Sequence, residues 1–170
     1  MPVLDRVDLF IEQWRRERPT LDASGLAVVS RILMLFKMLE QSADDALADF
    51  GLALWQFDVL AALRRSGSPF RLTPTELSRL VTLSSGAMTN RIDRLEALGL
   101  VARERDPDDR RGILIALTPK GRRLVDHAAE RRLADAKEQI SVLTTKERRV
   151  LASLLRKLML AANLDHHAGT

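Results

Sequence analysis

Residues 100–117 read LVARERDPDDRRGILIAL. The segment Leu100-Val101-Ala102-Arg103-Glu104-Arg105 has the alternation of a strand. Ile113-Leu114-Ile115-Ala116-Leu117 is a run with β-branched residues that suits a second strand. Between them, Asp106-Pro107-Asp108-Asp109-Arg110-Arg111-Gly112 is too polar for either strand and forms a charged tip.

Working outward toward the N-terminus, Thr73-Pro74-Thr75-Glu76 opens a short helix. Thr73 caps it, Pro74 takes its first position and Glu76 closes a capping box. Thr82-Leu83-Ser84 then supplies a turn and a new cap. A second helix runs from Ser84 to Gly99, a residue suited to helix termination, and its buried stripe is Met88, Ile92, Leu95 and Leu98. Two helices, a short turn and a hairpin with a charged tip make a winged helix-turn-helix.

The rest of the chain is helical in pattern. Residues 5–18 place Val7, Phe10, Ile11 and Trp14 on one stripe, and Pro19 ends it. Further helices span about 24–50, 53–65, 118–140 and 144–163, the last opened by a second capping box at Thr144 and Glu147. The fold class is mainly α with a small β-wing. Residues 1–50 form N-terminal helices, 53–118 the winged helix-turn-helix domain and 119–164 C-terminal helices.

Composition bounds the function. The 170 residues contain no cysteine, which removes disulfides, thiolate metal sites and a cysteine nucleophile. His127, His166 and His167 lack metal-ligand spacing. No Ser/His/Asp set and no phosphate-cradling glycine loop is present, so an enzyme, a metal and a cofactor are not expected. The N-terminus does not read as a signal peptide. No stretch approaches the ~18 apolar residues of a membrane span. A cytoplasmic protein is expected. The net charge is +4, and residues 84–123 carry nine Arg/Lys against six Asp/Glu. That local basic excess suits a polyanion.

A major-groove helix reads base edges with its N-terminal half, and neighbouring polar groups hold phosphates. Ser84, Ser85, Gly86, Thr89, Asn90, Arg91 and Arg94 stand on the second helix, with Thr73 capping the first. Gly86 and Ala87 are small where the helix must approach DNA closely. Asn90 and Arg91 can pair with adenine and guanine edges. At the wing tip, Arg110 and Arg111 are positioned for phosphates or the minor groove, and Asp109 is expected to hold the Arg111 guanidinium in a bidentate pair.

Residues 56–121, through QFDVLAALRR, LTPTELSRL, SSGAMTNRIDRLEALGLVARE and DPDDRRGILIALTPKG, resemble the core of the MarR family. The run DRRGILIALT is similar to that family's wing motif. The resemblance implies a transcriptional regulator, usually a repressor, that binds palindromic double-stranded DNA as a homodimer. It implies that the first helix and the last two form the dimerisation region, and that Arg111 enters the minor groove. The sequence supports a dimer on its own. Leu151, Leu154, Leu155 and Leu158 would otherwise be exposed, at roughly 1.5–3 kcal/mol for each side chain that burial would stabilise.

The extra N-terminal helix is similar to that of a urate-responsive branch of the family. There a tryptophan, an aspartate and two arginines form the ligand and signalling set, and Trp14, Asp58, Arg91 and Arg103 stand at those positions. The resemblance implies a small anionic, often aromatic, effector that releases the DNA: urate, another purine, a tricarboxylate, or a phenolic or indolic acid. Each residue also has a plainer reading: Trp14 as core or dimer contact, Asp58 as a water-facing or paired acid, Arg91 as a base reader, Arg103 as a phosphate contact. Two alternatives stay open for the whole chain, a winged-helix module that binds protein and a transcriptional activator without an effector.

Overall fold

The computed structural model describes residues 3–81, 85–109 and 111–167. Two compact units divide it, Met1–Arg132 and Leu133–Thr170.

In the first unit, α1 (Arg6–Glu17) starts at Asp5, whose carboxylate accepts the backbone N–H groups of Val7 and Asp8. Arg31 of α2 (Leu26–Ala48) reaches back with Nε to Asp5 at 2.8 Å and Nη2 to Asp8 at 2.7 Å, tying the first helix to the second. Val7 is buried there. Only Ala43, Ala46 and Leu47 of α2 are buried, and Val29, Ile32, Leu33, Phe36 and Leu39 stay exposed. Gly51, at φ 63°, ends this segment in the left-handed region that favours glycine. Asp44 then accepts the N–H of Leu54 at 2.6 Å, fixing where α3 (Leu54–Arg65) begins.

Helix α3 is the centre of the core, with Phe57, Val59, Leu60, Ala61, Ala62 and Leu63 all buried. Around it pack Leu77 of α4 (Pro74–Leu80), Met88, Ile92 and Leu95 of α5 (Ser85–Ala97), and Ile115 of the sheet. The expected capping box of α4 forms: Thr73 Oγ1 accepts the Glu76 N–H, and Glu76 accepts the Thr73 N–H at 2.8 Å.

Leu98 is a correction, since it is 47% exposed and does not extend the α5 stripe. The helix stops at Ala97, Gly99 turns the chain at φ 67°, and the N–H of Leu100 returns to the Leu95 carbonyl. That reversal puts Leu100 in the core in place of Leu98.

Strands β2 (Val101–Arg105) and β3 (Ile113–Leu117) form the expected hairpin, in register Arg103↔Ile115 and Arg105↔Ile113. A two-residue strand, β1 (Arg71–Leu72), joins the other edge of β3, giving the order β1-β3-β2. Its two residues are too short a run to show alternation in the sequence. Helix α6 (Pro119–Gln139) opens on Thr118, whose Oγ1 accepts the N–H of Gly121. A side chain on Gly121 would fall on the Leu100 carbonyl, so the first turn of α6 needs glycine to lie against the strand.

In the second unit, α7 (Thr145–His167) starts at the expected capping box, where Thr144 and Glu147 exchange bonds. It runs beyond the expected end at 163. Leu151, Leu154, Leu155 and Leu158 are exposed along it.

Candidate nucleic-acid interface

Because Met88, Ile92 and Leu95 seat α5 on the core, its opposite face is fixed outward. Ala87, Thr89, Asn90 and Arg94 are exposed there, on successive turns. Asn90 and Arg94 stand one turn apart on this face, an amide and a guanidinium of the types that read adenine and guanine edges. Among the described residues, no ion pair engages Arg94. Ser85 and Gly86 lie in the first turn of the helix, and Ser84 lies outside the described residues. Thr73 points its hydroxyl at Glu76, at 2.8 Å, so its first role is to cap α4.

The wing tip is built by its own polar groups. The Asp106 N–H donates to the Gly112 carbonyl at 3.0 Å, and the Gly112 N–H to the Asp109 carbonyl at 2.8 Å. A Cβ on Gly112 would come within 2.8 Å of the Asp106 Cβ, so this crossing also requires a glycine. The expected bidentate pair between Asp109 and the Arg111 guanidinium is not what forms. Asp109 Oδ1 accepts the backbone N–H of Arg111 at 2.9 Å. An aspartate two residues before a backbone N–H closes an Asx turn more readily than it reaches the end of a long side chain. Arg111 therefore leaves the tip exposed, without an ion pair among the described residues. Arg110 lies outside the described residues.

The four effector positions fall into three places. The Arg91 guanidinium lies over the Trp55 ring of α3, 5.1 Å from its centroid. Asp58 stands three residues after Trp55, on the same face of α3. Its side chain reaches solvent, yet its surroundings desolvate the carboxyl enough to raise its pKa, against the pull of Arg132, Arg65 and Arg91. Arg103 is pinned elsewhere, by Asp93 at 2.5 Å and by Glu96, and these carboxylates raise its pKa further. Trp14 is 47% exposed on a shallow surface with Phe10, Gln13 and Glu17, which none of the other three residues lines. The structure thus sets Arg91 over Trp55, which sequence reading passed over, and leaves Asp58 within electrostatic reach of Arg91 without an ion pair between them. The WQFD spacing, with Trp55 and Asp58 at i and i+3, was the available signal.

Among the described residues, no group of His, Asp and Glu gathers to hold a metal, and no helix is long and apolar enough to cross a membrane.

Residues 50–112 match the MarR family. The chain is 30% identical to the multiple antibiotic resistance protein MarR of Salmonella typhimurium, over 75% of this chain and 88% of that protein. A mutant MarR from E. coli complexed with operator DNA superposes with TM-score 0.71 at 26% identity, covering 85% of this chain and 96% of that one. BpsR of Bordetella bronchiseptica, whose DNA binding is regulated by 6-hydroxynicotinic acid, superposes with TM-score 0.69 at 29% identity, over 77% and 92%. These relatives are transcriptional regulators, not enzymes. The fold, the α5–wing arrangement and these similarities place the chain in the MarR family of DNA-binding transcriptional regulators.

Proposed function

We propose that the protein is a ligand-responsive repressor that binds a palindromic operator as a homodimer. The observation that carries this reading is the outward face of α5, with Asn90 and Arg94, beside a wing that ends in an exposed Arg111. An α-helix of this kind enters the major groove while a wing residue enters the adjacent minor groove. The E. coli relative is complexed with operator DNA, which supports DNA as the partner of this chain. Such a protein works in the cytoplasm, where its DNA is.

The apolar surface each unit leaves uncovered supports homodimerisation. Phe36, Leu33 and Leu39 on α2, and Leu154, Leu155 and Leu158 on α7, are more exposed apolar side chains than a monomer tolerates well. A two-fold axis would then set two copies of α5 about 10 bp apart, matching a palindrome.

The effector we infer is a small aromatic anion. Arg91 and Trp55 offer a cation and a ring face in one place, and an anion arriving there would repel Asp58. Since Arg91 belongs to α5, that change acts directly on the recognition helix. Trp14 and Arg103 complete the proposed set only if the ligand reaches both, and Arg103 must first leave Asp93 and Glu96.

The test is a gel-shift series on the DNA flanking the protein's own gene, across salt concentrations, with Arg111→Ala alongside. Tight, sequence-selective binding that falls steeply with salt and is lost in the variant supports the reading. Equal, weak binding to every duplex would sink it and favour a module that binds protein.

A further inference from the structure

We propose that the bridge Asp93–Arg103–Glu96 is a positioning device that locks the wing to the recognition helix, so that Asn90 and Arg111 meet DNA as one rigid unit. This rests on the reading of α5 and the wing as the DNA interface.

Arg103 occupies the middle of β2, paired in register with Ile115. Glu96 receives its backbone N–H at 3.1 Å and also its guanidinium. The other arm of the fork, Nη2, reaches Asp93 Oδ1 at 2.5 Å. Asp93 and Glu96 are nearly one turn apart on α5, so a planar fork across both fixes the helix's rotation as well as its distance from the strand. A lysine, a point charge on a flexible stem, can satisfy one acid but not set that rotation.

Beyond Arg103 there is little slack on the path to the tip. The ladder continues through Glu104↔Leu114 to Arg105↔Ile113. Asp106 and Gly112 then close the turn, and Asp109 holds the backbone of Arg111. On the helix side, Asn90 precedes Asp93 by three residues, on the adjoining turn.

Charge argues in the same direction. One guanidinium against two carboxylates leaves the cluster net negative, which repels phosphate. The arginine therefore contributes through geometry, not as a DNA contact.

The experiment uses full-length protein and a duplex selected from random DNA by the wild type. Binding is measured across salt for wild type, Arg103→Ala, Arg103→Lys, Arg111→Ala and the Arg103→Ala/Arg111→Ala double variant. Arg103→Ala is expected to weaken binding about tenfold, with the salt slope falling no further than it does in Arg111→Ala, and Arg103→Lys to restore only part of it. The loss on Arg111→Ala should be much smaller in the Arg103→Ala background than in the wild type, because an unpositioned wing has already lost that contact. Losses that simply multiply in the double variant would overturn the bridge. A salt slope in the double variant lower by about one than in Arg111→Ala would instead make Arg103 a phosphate contact in its own right. If Arg103→Ala melts early, Glu96→Gln and Asp93→Asn keep the volumes and must show the same non-additivity with Arg111→Ala. A wild type that selects no sequence at all would defeat the DNA reading itself, which is a different failure.

Discussion

The Arg91 guanidinium sits over the Trp55 ring at 5.1 Å, so a recognition-helix arginine is committed to α3, while Asn90 beside it in sequence is exposed. Adjacent residues on a helix point about 100° apart, and here that angle separates an outward-facing position from an inward-facing one.

Asn90→Ala should therefore cost operator binding about 1–3 kcal/mol and relax the base preference at one position. Arg91→Ala should cost less than Asn90→Ala and blunt release by the effector. Trp14→Ala should weaken the effector response while sparing DNA binding. Titrations of each variant against the selected duplex check these outcomes, and loss of both properties in Trp14→Ala would reassign that residue to folding.

Two acids titrate with opposite consequences. Burial raises the Asp58 pKa, so its ionised form is a liability that disappears as pH falls through that raised value. Asp58→Asn should hold or raise the melting temperature at neutral pH, with the advantage shrinking in mild acid. Glu76 is lowered by its bonds from Thr73, so its stabilisation is present at neutral pH and is lost only as pH falls through the usual carboxylate range and below. Glu76→Gln should accordingly melt earlier than the wild type at neutral pH and converge with it in acid. Melting curves at several pH values separate the two signs.

Gly121→Ala places a methyl group against the Leu100 carbonyl, a backbone atom that cannot step aside like a flexible side chain. The expected loss is about 1–3 kcal/mol or more, read by denaturant unfolding. Gly25→Ala, where nothing lies within 4 Å of the added carbon, is the matched control and should be nearly neutral.

Leu154→Glu or Leu158→Glu should convert the proposed dimer into monomer, because a charge would have to be buried in an apolar contact. Sedimentation velocity reads the change, and operator affinity should fall with it. A variant that stays dimeric would move the interface away from α7.

Much of the fold follows from local chemistry in the sequence. Thr73 with Glu76 and Thr144 with Glu147 start helices because cap and partner lie three residues apart, within one turn. The hairpin follows from an alternating segment and a β-branched run on either side of a polar tip, and the outward face of α5 follows from the spacing of Met88, Ile92 and Leu95. Long-range contacts and the turn geometry actually adopted decided the rest. The strand Arg71–Leu72 exists because β3 offers it an edge. Leu98 surrenders its core place because Gly99 turns the chain, and Asp109 takes a backbone N–H because the closed tip presents one. Arg103 is a bridge and Arg91 a ring contact only because Asp93, Glu96 and Trp55 arrive beside them from other turns and elements. Sequence spacing reports which residues share a face of one element. Partners across elements are set by packing, which only the tertiary structure contains.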